Sequence, residues 1–267
     1  MRISGLVTAM LVMALPAAAA PAKNEGLHKA VAAEHRTDAF EARDRYRHPR
    51  EVLEFLGIEP DMTVVEISPG GGYWTEILAP YLHDKGTYYT AISPRASSER
   101  AAAAADTWQK KLDAAPALYG KVKVSEFGRG SDAIAPPGSA DAVLTFRNVH
   151  NWMSAGFAEE AFQTFFKALK PGGILGVEEH RARTDQPQDP KAANGYVRED
   201  YLIELAQKAG FKLVSRSELL ANPKDTKDWP KGVWTLPPTF ALGDKDREKY
   251  LAIGEADNFL LKFQKPE

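Results

Sequence analysis

Residues 64–78 read VVEISPGGGYWTEIL. Val64, Val65 and Ile67, interrupted by Glu66, form a β-branched apolar run of the kind that makes a short buried strand. Gly70, Gly71 and Gly72 follow, and the amphipathic residues from Tyr73 onward predict a helix. Glycine admits the positive φ that a tight strand-to-helix turn needs, and it lets a ligand approach the backbone. The helix start beyond it leaves N–H groups free for an anion. The turn lacks the Gly-Lys-Ser/Thr ending of a phosphate loop and the full spacing of the dinucleotide fingerprint.

The alternation continues on either side of this unit. Upstream, residues 25–56 have helical character in two pieces divided near His48-Pro49, with Pro49 suited to a first helical turn and Gly57 to the stop. Downstream, YWTEILAPYLH (73–83) predicts a helix broken or kinked at Pro80, GTYYTAIS (86–93) a second strand and residues 96–114 a second helix. KVKVSEF (121–127) and DAVLTFR (141–147) predict strands three and four, with a loop at 131–140 between them. FAEEAFQTFFKALK (157–170) is an amphipathic helix closed by Pro171-Gly172-Gly173, and ILGVEEH (174–180) is strand five. EDYLIELAQKAG (199–210) gives a helix and FKLVSRSEL (211–219) strand six. A Pro- and Lys-containing excursion at 221–257 carries Trp229 and Trp234, and NFLLKFQK (258–265) supplies a seventh strand. Such alternation predicts an α/β fold: a seven-stranded, mostly parallel sheet with helices on both faces. A helical extension at 21–57 precedes the main domain at 58–267. Ligands of these sheets bind at the carboxyl ends of the strands, where strand order switches.

A chain of 267 residues suffices for one large domain with an ample core. With 34 basic against 36 acidic residues, a net charge of −2 and no block of like charge, a nucleic-acid surface is not expected and a small molecule is the expected partner. There is no cysteine, which excludes disulfides, thiol catalysis and cysteine metal sites. Residues 1–20 have the pattern of a secretory signal peptide: Arg2, an apolar core from Gly5 to Leu15, then Pro16 and Ala17 to Ala20 as a cleavage zone. That start predicts a periplasmic or secreted protein with no membrane segment after processing; a cytoplasmic chain is the alternative.

The glycine turn resembles the first motif of class I S-adenosylmethionine-dependent methyltransferases. Glu66, Ser68, Gly70 and Gly72 occupy its acid-x-Gly-x-Gly-x-Gly positions. ADAVLTFRNVHNW (140–152) is similar to that family's fourth strand and active-site turn, and ALKPGGILGVEEHRA (168–182) to its Leu-Lys-Pro-Gly-Gly turn and fifth strand. The helix at 201–214 resembles the approach to strand six, so the likeness runs from Arg50 to Leu219 and takes in the last strand. EISPGGGYWTEILAPYL, LTFRNVHNW and GVEEHRA together resemble a bacterial group of often exported methyltransferases, themselves assigned by prediction. The resemblance implies a Rossmann-like methyltransferase fold, S-adenosylmethionine as cofactor and methyl transfer to a small-molecule acceptor. It also implies cofactor contacts at Glu66, Ser68, Gly70, Gly72, Ser93, Arg147 and Asn148, although Arg147 and Asn148 by residue type equally suit a carboxylate acceptor or the plain polar end of strand four. Two departures stand out: Ser68 replaces a usual glycine, and Ser93 stands where an acid usually binds the ribose hydroxyls. A serine cannot chelate a diol as a carboxylate does. Glu126 and Asp132 are only approximate matches to the acid that contacts adenine. An exported binding module that keeps the fold without catalysis is therefore the competing reading.

His150 follows strand four at the ligand edge, and an imidazole suits proton abstraction from a hydroxyl or amine. A turn-holding histidine is the bland alternative. Period-two alternation puts Glu178 and His180 on one face of strand five and Glu179 on the other. Glu178 and His180 with His150 have metal-ligand chemistry, but such pairs more often serve as hydrogen-bonded scaffolding, so no metal is assigned. Tyr73 and Trp74 can wall the cofactor or simply fill core. The basic segment RDRYRHP (43–49) reads as a solvated helix face, with Tyr46, Arg47 and His48 as a lid in the competing reading. Trp229 and Trp234 either line an acceptor pocket or anchor their loop.

Overall fold

The computed structural model describes residues 25–267. The signal-peptide assignment at 1–20 lies outside the described residues. Within them no helix is long and apolar enough to cross a membrane.

The N-terminal segment forms four short helices rather than two: α1 (Glu25–Val31), α2 (Asp38–Glu41), α3 (Asp44–Arg47) and α4 (Pro49–Leu56). His48 takes a left-handed φ of 41° between α3 and α4, and Pro49 opens α4 with no N–H to satisfy. Leu27, Val52, Leu53 and Leu56 pack into the same apolar cluster as strand residues Val64, Ala142 and Leu144, so this segment is built into the sheet's core.

Strands β1 (Thr63–Ile67), β2 (Thr87–Ile92), β3 (Lys123–Glu126), β4 (Ala140–Phe146), β5 (Leu169–His180), β6 (Lys212–Ser217) and β8 (Asn258–Gln264) form one seven-stranded sheet. Their order is β3-β2-β1-β4-β5-β8-β6. β8 runs antiparallel to β5 and β6, while β3, β2, β1, β4 and β5 are parallel to their neighbours. Alternate residues feed opposite faces: Val65, Ile67, Val143 and Val177 enter one apolar cluster, and Val64, Ala142, Leu144 and Phe146 the other. The order reverses between β1 and β4, where Ile67 lies opposite Thr145. That is the switch point at which an open α/β sheet binds ligands.

Helix α5 (Thr75–Leu82) is not interrupted by Pro80. The Glu76 carbonyl, which Pro80 cannot bond, accepts instead from His35 Nε2 at 2.8 Å. Helix α6 spans Glu99–Ala114 behind a Ser98 cap, followed by a single turn α7 (Pro116–Tyr119). Pro171-Gly172-Gly173 does not follow the amphipathic helix but lies inside β5, because α9 (Ala158–Ala168) ends earlier; the β4–β5 register jumps there between Ala140/Leu169 and Ala142/Ile174. After α10 (Glu199–Lys208) and β6, the 221–257 excursion is ordered. It contains β7 (Pro230–Val233), which is outside the main sheet, and α11 (Arg247–Ile253), with a small core of Tyr196, Val233, Leu236, Tyr250 and Ala256. Asp225 ties it down, accepting from Trp229 Nε1 at 2.7 Å, Tyr196 Oη at 3.0 Å and the Asp257 amide at 2.9 Å.

Candidate active site

The turn after β1 carries three left-handed residues: Ser68 at φ 53°, Gly70 at 59° and Gly72 at 93°. The Ser68 amide donates to the Ala91 carbonyl at 2.9 Å, which draws the turn toward β2. A glycine would occupy the Ser68 position without strain; the serine costs about 1 kcal/mol there. Cβ positions separate the two glycines. One built on Gly70 meets nothing within 4 Å, whereas one on Gly72 falls 2.7 Å from Lys111 Cε and 3.2 Å from the Trp108 ring. Gly72 therefore exists to let α6 pack. Gly72 itself lines neither cavity described below.

Two cavities open at the carboxyl ends of β1, β2 and β4, and they meet at Ser68, Pro69, Gly70, Asn148 and Asn151. The larger, of about 950 Å³, extends past Ser93 at the end of β2 to Phe127, Trp152 and Phe157. No carboxylate lines it; its charged residues are Arg100 and Arg129. Glu126 and Asp132 stand outside it, and Glu126 accepts the Arg95 amide at 2.9 Å. The smaller, of about 310 Å³, lies between Gly70 and the excursion, which contributes Trp234, Pro237 and Pro238. Asn148 is fixed between the two by donating to the Ile67 carbonyl at 3.1 Å.

Glu66 lines the smaller cavity but faces the core, accepting from Thr75 Oγ1 at 2.8 Å and from the Tyr88 hydroxyl. Burial lifts its carboxyl to about 7 despite those hydrogen bonds. Trp74 stacks on Phe146 at 4.1 Å, and its buried Nε1 finds no partner among the described residues.

His150 sits in the first turn of α8 (Val149–Ala155), a helix legible afterwards in the i, i+3, i+4 spacing of Val149, Trp152 and Met153 and the stop at Gly156. Its Nδ1 pairs with Glu179 Oε1 at 2.9 Å, and its amide donates to Glu179 Oε2 at 3.1 Å. The acid beside His150 is thus Glu179, not Glu178. Helix α8 packs on the sheet face that carries Val177, and Glu179 has the same parity. Burial raises the Glu179 carboxyl, but the charge and hydrogen bond of His150 outweigh it and hold it below its ordinary value. Glu178 instead lies 3.6 Å from Arg147 Nε. His180 turns its Nδ1 to Asn258 Oδ1 at 2.7 Å, and burial drives its pKa down to about 3. Donor atoms of His150, Glu179 and His180 lie within 4.8 Å of one another, yet hydrogen bonds within the group already use both Glu179 oxygens.

The 43–49 segment is no solvated face. Arg43 and Arg47 line the smaller cavity beside Arg147, and Arg47 is only 5% exposed, with its guanidinium 4.3 Å above the Tyr73 ring. Tyr46 and His48 turn to a separate cleft of about 220 Å³. Glu255, at the end of the excursion, gathers the arginines: Arg43 at 2.6 and 3.0 Å, Arg147 at 2.6 Å and Arg47 at 3.9 Å. Burial opposes ionisation of Glu255, but the Arg43 hydrogen bond and the charges of Arg147 and Arg47 bring it to about 2. Arg43 and Glu255 carried no motif in the sequence, because they lie 212 positions apart.

The buried groups set the acid response. His180 stabilises the fold only when neutral, so its contribution, complete above 6.5, is lost as pH falls toward 3. Glu255 contributes above 4.5 and is lost toward 2. Glu66 acts oppositely, since its folded pKa is raised: stability is gained as pH falls from about 7 to 4.5, and no more below that. The terms oppose one another down to 4.5 and then His180 and Glu255 act together. Steep unfolding is expected below that point, and His180→Gln should move the midpoint to lower pH in a circular-dichroism titration.

A family model described as a methyltransferase domain matches residues 40–216. No curated protein is significantly similar in sequence. Among solved structures, a SAM-dependent methyltransferase from Aquifex aeolicus superposes with TM-score 0.54 at 16% identity, covering 84% of this chain and 92% of that one. The (4+2)-cyclase SpnF gives 0.55 at 20% identity, covering 90% and 91%. A sarcosine dimethylglycine methyltransferase homologue from Galdieria sulphuraria gives 0.53 at 11% identity, covering 86% and 90%. At these identities the likeness establishes the Rossmann-like fold.

Proposed function

The chain belongs to the methyltransferase domain family, and on that premise we propose that it binds S-adenosylmethionine across the two joined cavities and transfers a methyl group to a small-molecule acceptor. The observation that carries this is the junction at Ser68, Pro69, Gly70 and Asn148, where the open Cβ position of Gly70 leaves room for a ligand along the backbone. The larger cavity suits the adenosine, with Ser93 at the ribose, and the smaller suits the amino-acid end and the acceptor. The bound sulfonium supplies an already activated methyl group. The chain's own task is therefore to align the acceptor, exclude water and accept a proton. His150, oriented through Nδ1 by Glu179, is the group to take that proton at its other ring nitrogen, Nε2.

Calorimetric titration with S-adenosylhomocysteine tests the site. The parent protein should bind, and Gly70→Val should abolish binding by filling the junction. Gly72→Val should instead lower thermal stability, by about 1–3 kcal/mol of overpacking against Trp108. No heat from the folded parent, or unchanged binding by Gly70→Val, would sink the reading.

A second reading, a binding module from which catalysis has been lost, is favoured by the absence of any carboxylate in the larger cavity's lining. Ser93→Asp separates the two. In a cofactor site the added carboxylate accepts from the ribose hydroxyls and tightens binding by roughly tenfold, about 1–2 kcal/mol. In a site adapted to another ligand it leaves affinity for S-adenosylhomocysteine unmeasurable. We also propose export to the periplasm or beyond, on the strength of residues 1–20; N-terminal sequencing from the native host would refute it by finding Met1 retained.

A further inference from the structure

Three guanidinium groups from two distant parts of the chain, Arg43 and Arg47 before β1 and Arg147 after β4, line the smaller cavity around Glu255. Their counter-charges are Glu255, shared by all three, and Glu178, 3.6 Å from Arg147. Glu66 also lines this cavity, but burial lifts its carboxyl to about 7, so near neutral pH two full carboxylates and part of a third face three guanidiniums and leave a surplus of positive charge. Asp44 does not correct the balance, because Arg36 already holds both its oxygens at 2.6 and 2.8 Å. Arg47 is more than nine-tenths buried, and its Nε has no hydrogen-bond partner among the described residues. A buried guanidinium left with a free donor costs the fold unless a ligand completes it. Its pKa falls to about 10, through burial first and then the charge of Arg147.

Resting on the methyltransferase reading, we propose that the acceptor is a small carboxylate-bearing molecule, gripped at its carboxylate by the Arg43, Arg47 and Arg147 cluster while its hydroxyl or amine reaches His150. The cavity carries both groups the reaction needs: surplus positive charge at the three arginines, and the His150–Glu179 pair, which can take a proton and stabilise the resulting imidazolium. The cofactor sharpens the demand. Its amino acid is neutral overall and its sulfonium adds one positive charge, so an anionic acceptor offsets what a neutral one would leave. Trp234, 5.9 Å from the His150 ring, supplies an apolar wall for the acceptor's body. In the transfer, the acceptor heteroatom forms a bond to the methyl carbon as the carbon–sulfur bond breaks. The sulfur keeps that electron pair to become a thioether, and the acceptor's proton passes to His150.

Calorimetry with isosteric pairs, 4-hydroxybenzoate against 4-hydroxybenzamide and 3-hydroxybutyrate against 3-hydroxybutyramide, tests this at saturating S-adenosylhomocysteine. At least one carboxylate should bind about tenfold or more tightly than its amide, and raising the salt should erode that preference. Arg47→Gln should remove the preference, and Arg47→Lys should restore part of it. Equal binding of every acid and its amide, or no binding by any acid, overturns the proposal. So does an Arg47→Gln protein that loses S-adenosylhomocysteine rather than the acids, since the cluster would then serve the cofactor. If Arg47→Gln does not fold, the parent's acid-to-amide ratio and its salt dependence decide. The same titrations without S-adenosylhomocysteine keep the two ideas apart: no heat from that compound defeats the methyltransferase reading, while the ratio still judges the arginine cluster.

Discussion

Glu255→Ala should cost the fold about 3–5 kcal/mol, as removal of one partner from a buried ion cluster typically does. Glu255 is 4% exposed and is the carboxylate common to Arg43, Arg47 and Arg147. Without it the three guanidiniums repel in a low dielectric, with only Glu178 and the partly protonated Glu66 to answer them. Loss of Glu255 also removes the ion pairs that tie the excursion to the N-terminal helices, the Arg43 contact spanning 212 positions. The melting temperature should fall by about 10 °C or more in a chain of this size. Glu255→Gln should lie between parent and alanine, keeping shape and hydrogen-bonding capacity but not charge. A melting temperature unchanged in Glu255→Ala would mean that water, not this carboxylate, compensates the arginines.

The second large effect concerns rate. His150→Gln should slow methyl transfer by about 10²–10⁴-fold, the usual loss when a positioned base is removed, while affinity for S-adenosylhomocysteine stays the same. His150 is placed by two contacts to one acid, from its ring nitrogen and from its own amide, so its orientation is fixed before any ligand arrives. Glu179→Gln should slow the reaction less, because orientation survives while stabilisation of the imidazolium is lost. Production of S-adenosylhomocysteine with an acceptor from the carboxylate class is the assay. An unchanged rate in His150→Gln would reduce the site's contribution to alignment and water exclusion.

Much of this architecture could be read from residue order alone. The strand at Thr63–Ile67, the glycine turn and the alternation behind it led to the seven-stranded sheet, because buried parallel strands require continuous apolar runs and leave no alternative period. What stayed hidden was direction. Gly70 and Gly72 look equivalent in a motif, and only the packing of Trp108 and Lys111 separates them. Likewise the choice between Glu178 and Glu179 depended on which sheet face α8 covers, a tertiary fact. Pro80 did not stop its helix because His35, 41 residues before Glu76, takes the freed carbonyl. The arginine cluster was hidden most deeply: a basic stretch has the same composition on a solvated face as when folded over a cavity, and its counter-ion Glu255 is remote in sequence.

The central claim, that the two cavities meeting at Gly70 form one cofactor site, is tested most directly by a crystal structure of the protein with S-adenosylhomocysteine. The adenosine should lie between Ser93 and Trp152, and the homocysteine should pass Gly70 into the cavity that holds His150 and Arg47. S-adenosylhomocysteine found elsewhere on the molecule, or no density for it at saturating concentration, would contradict the account.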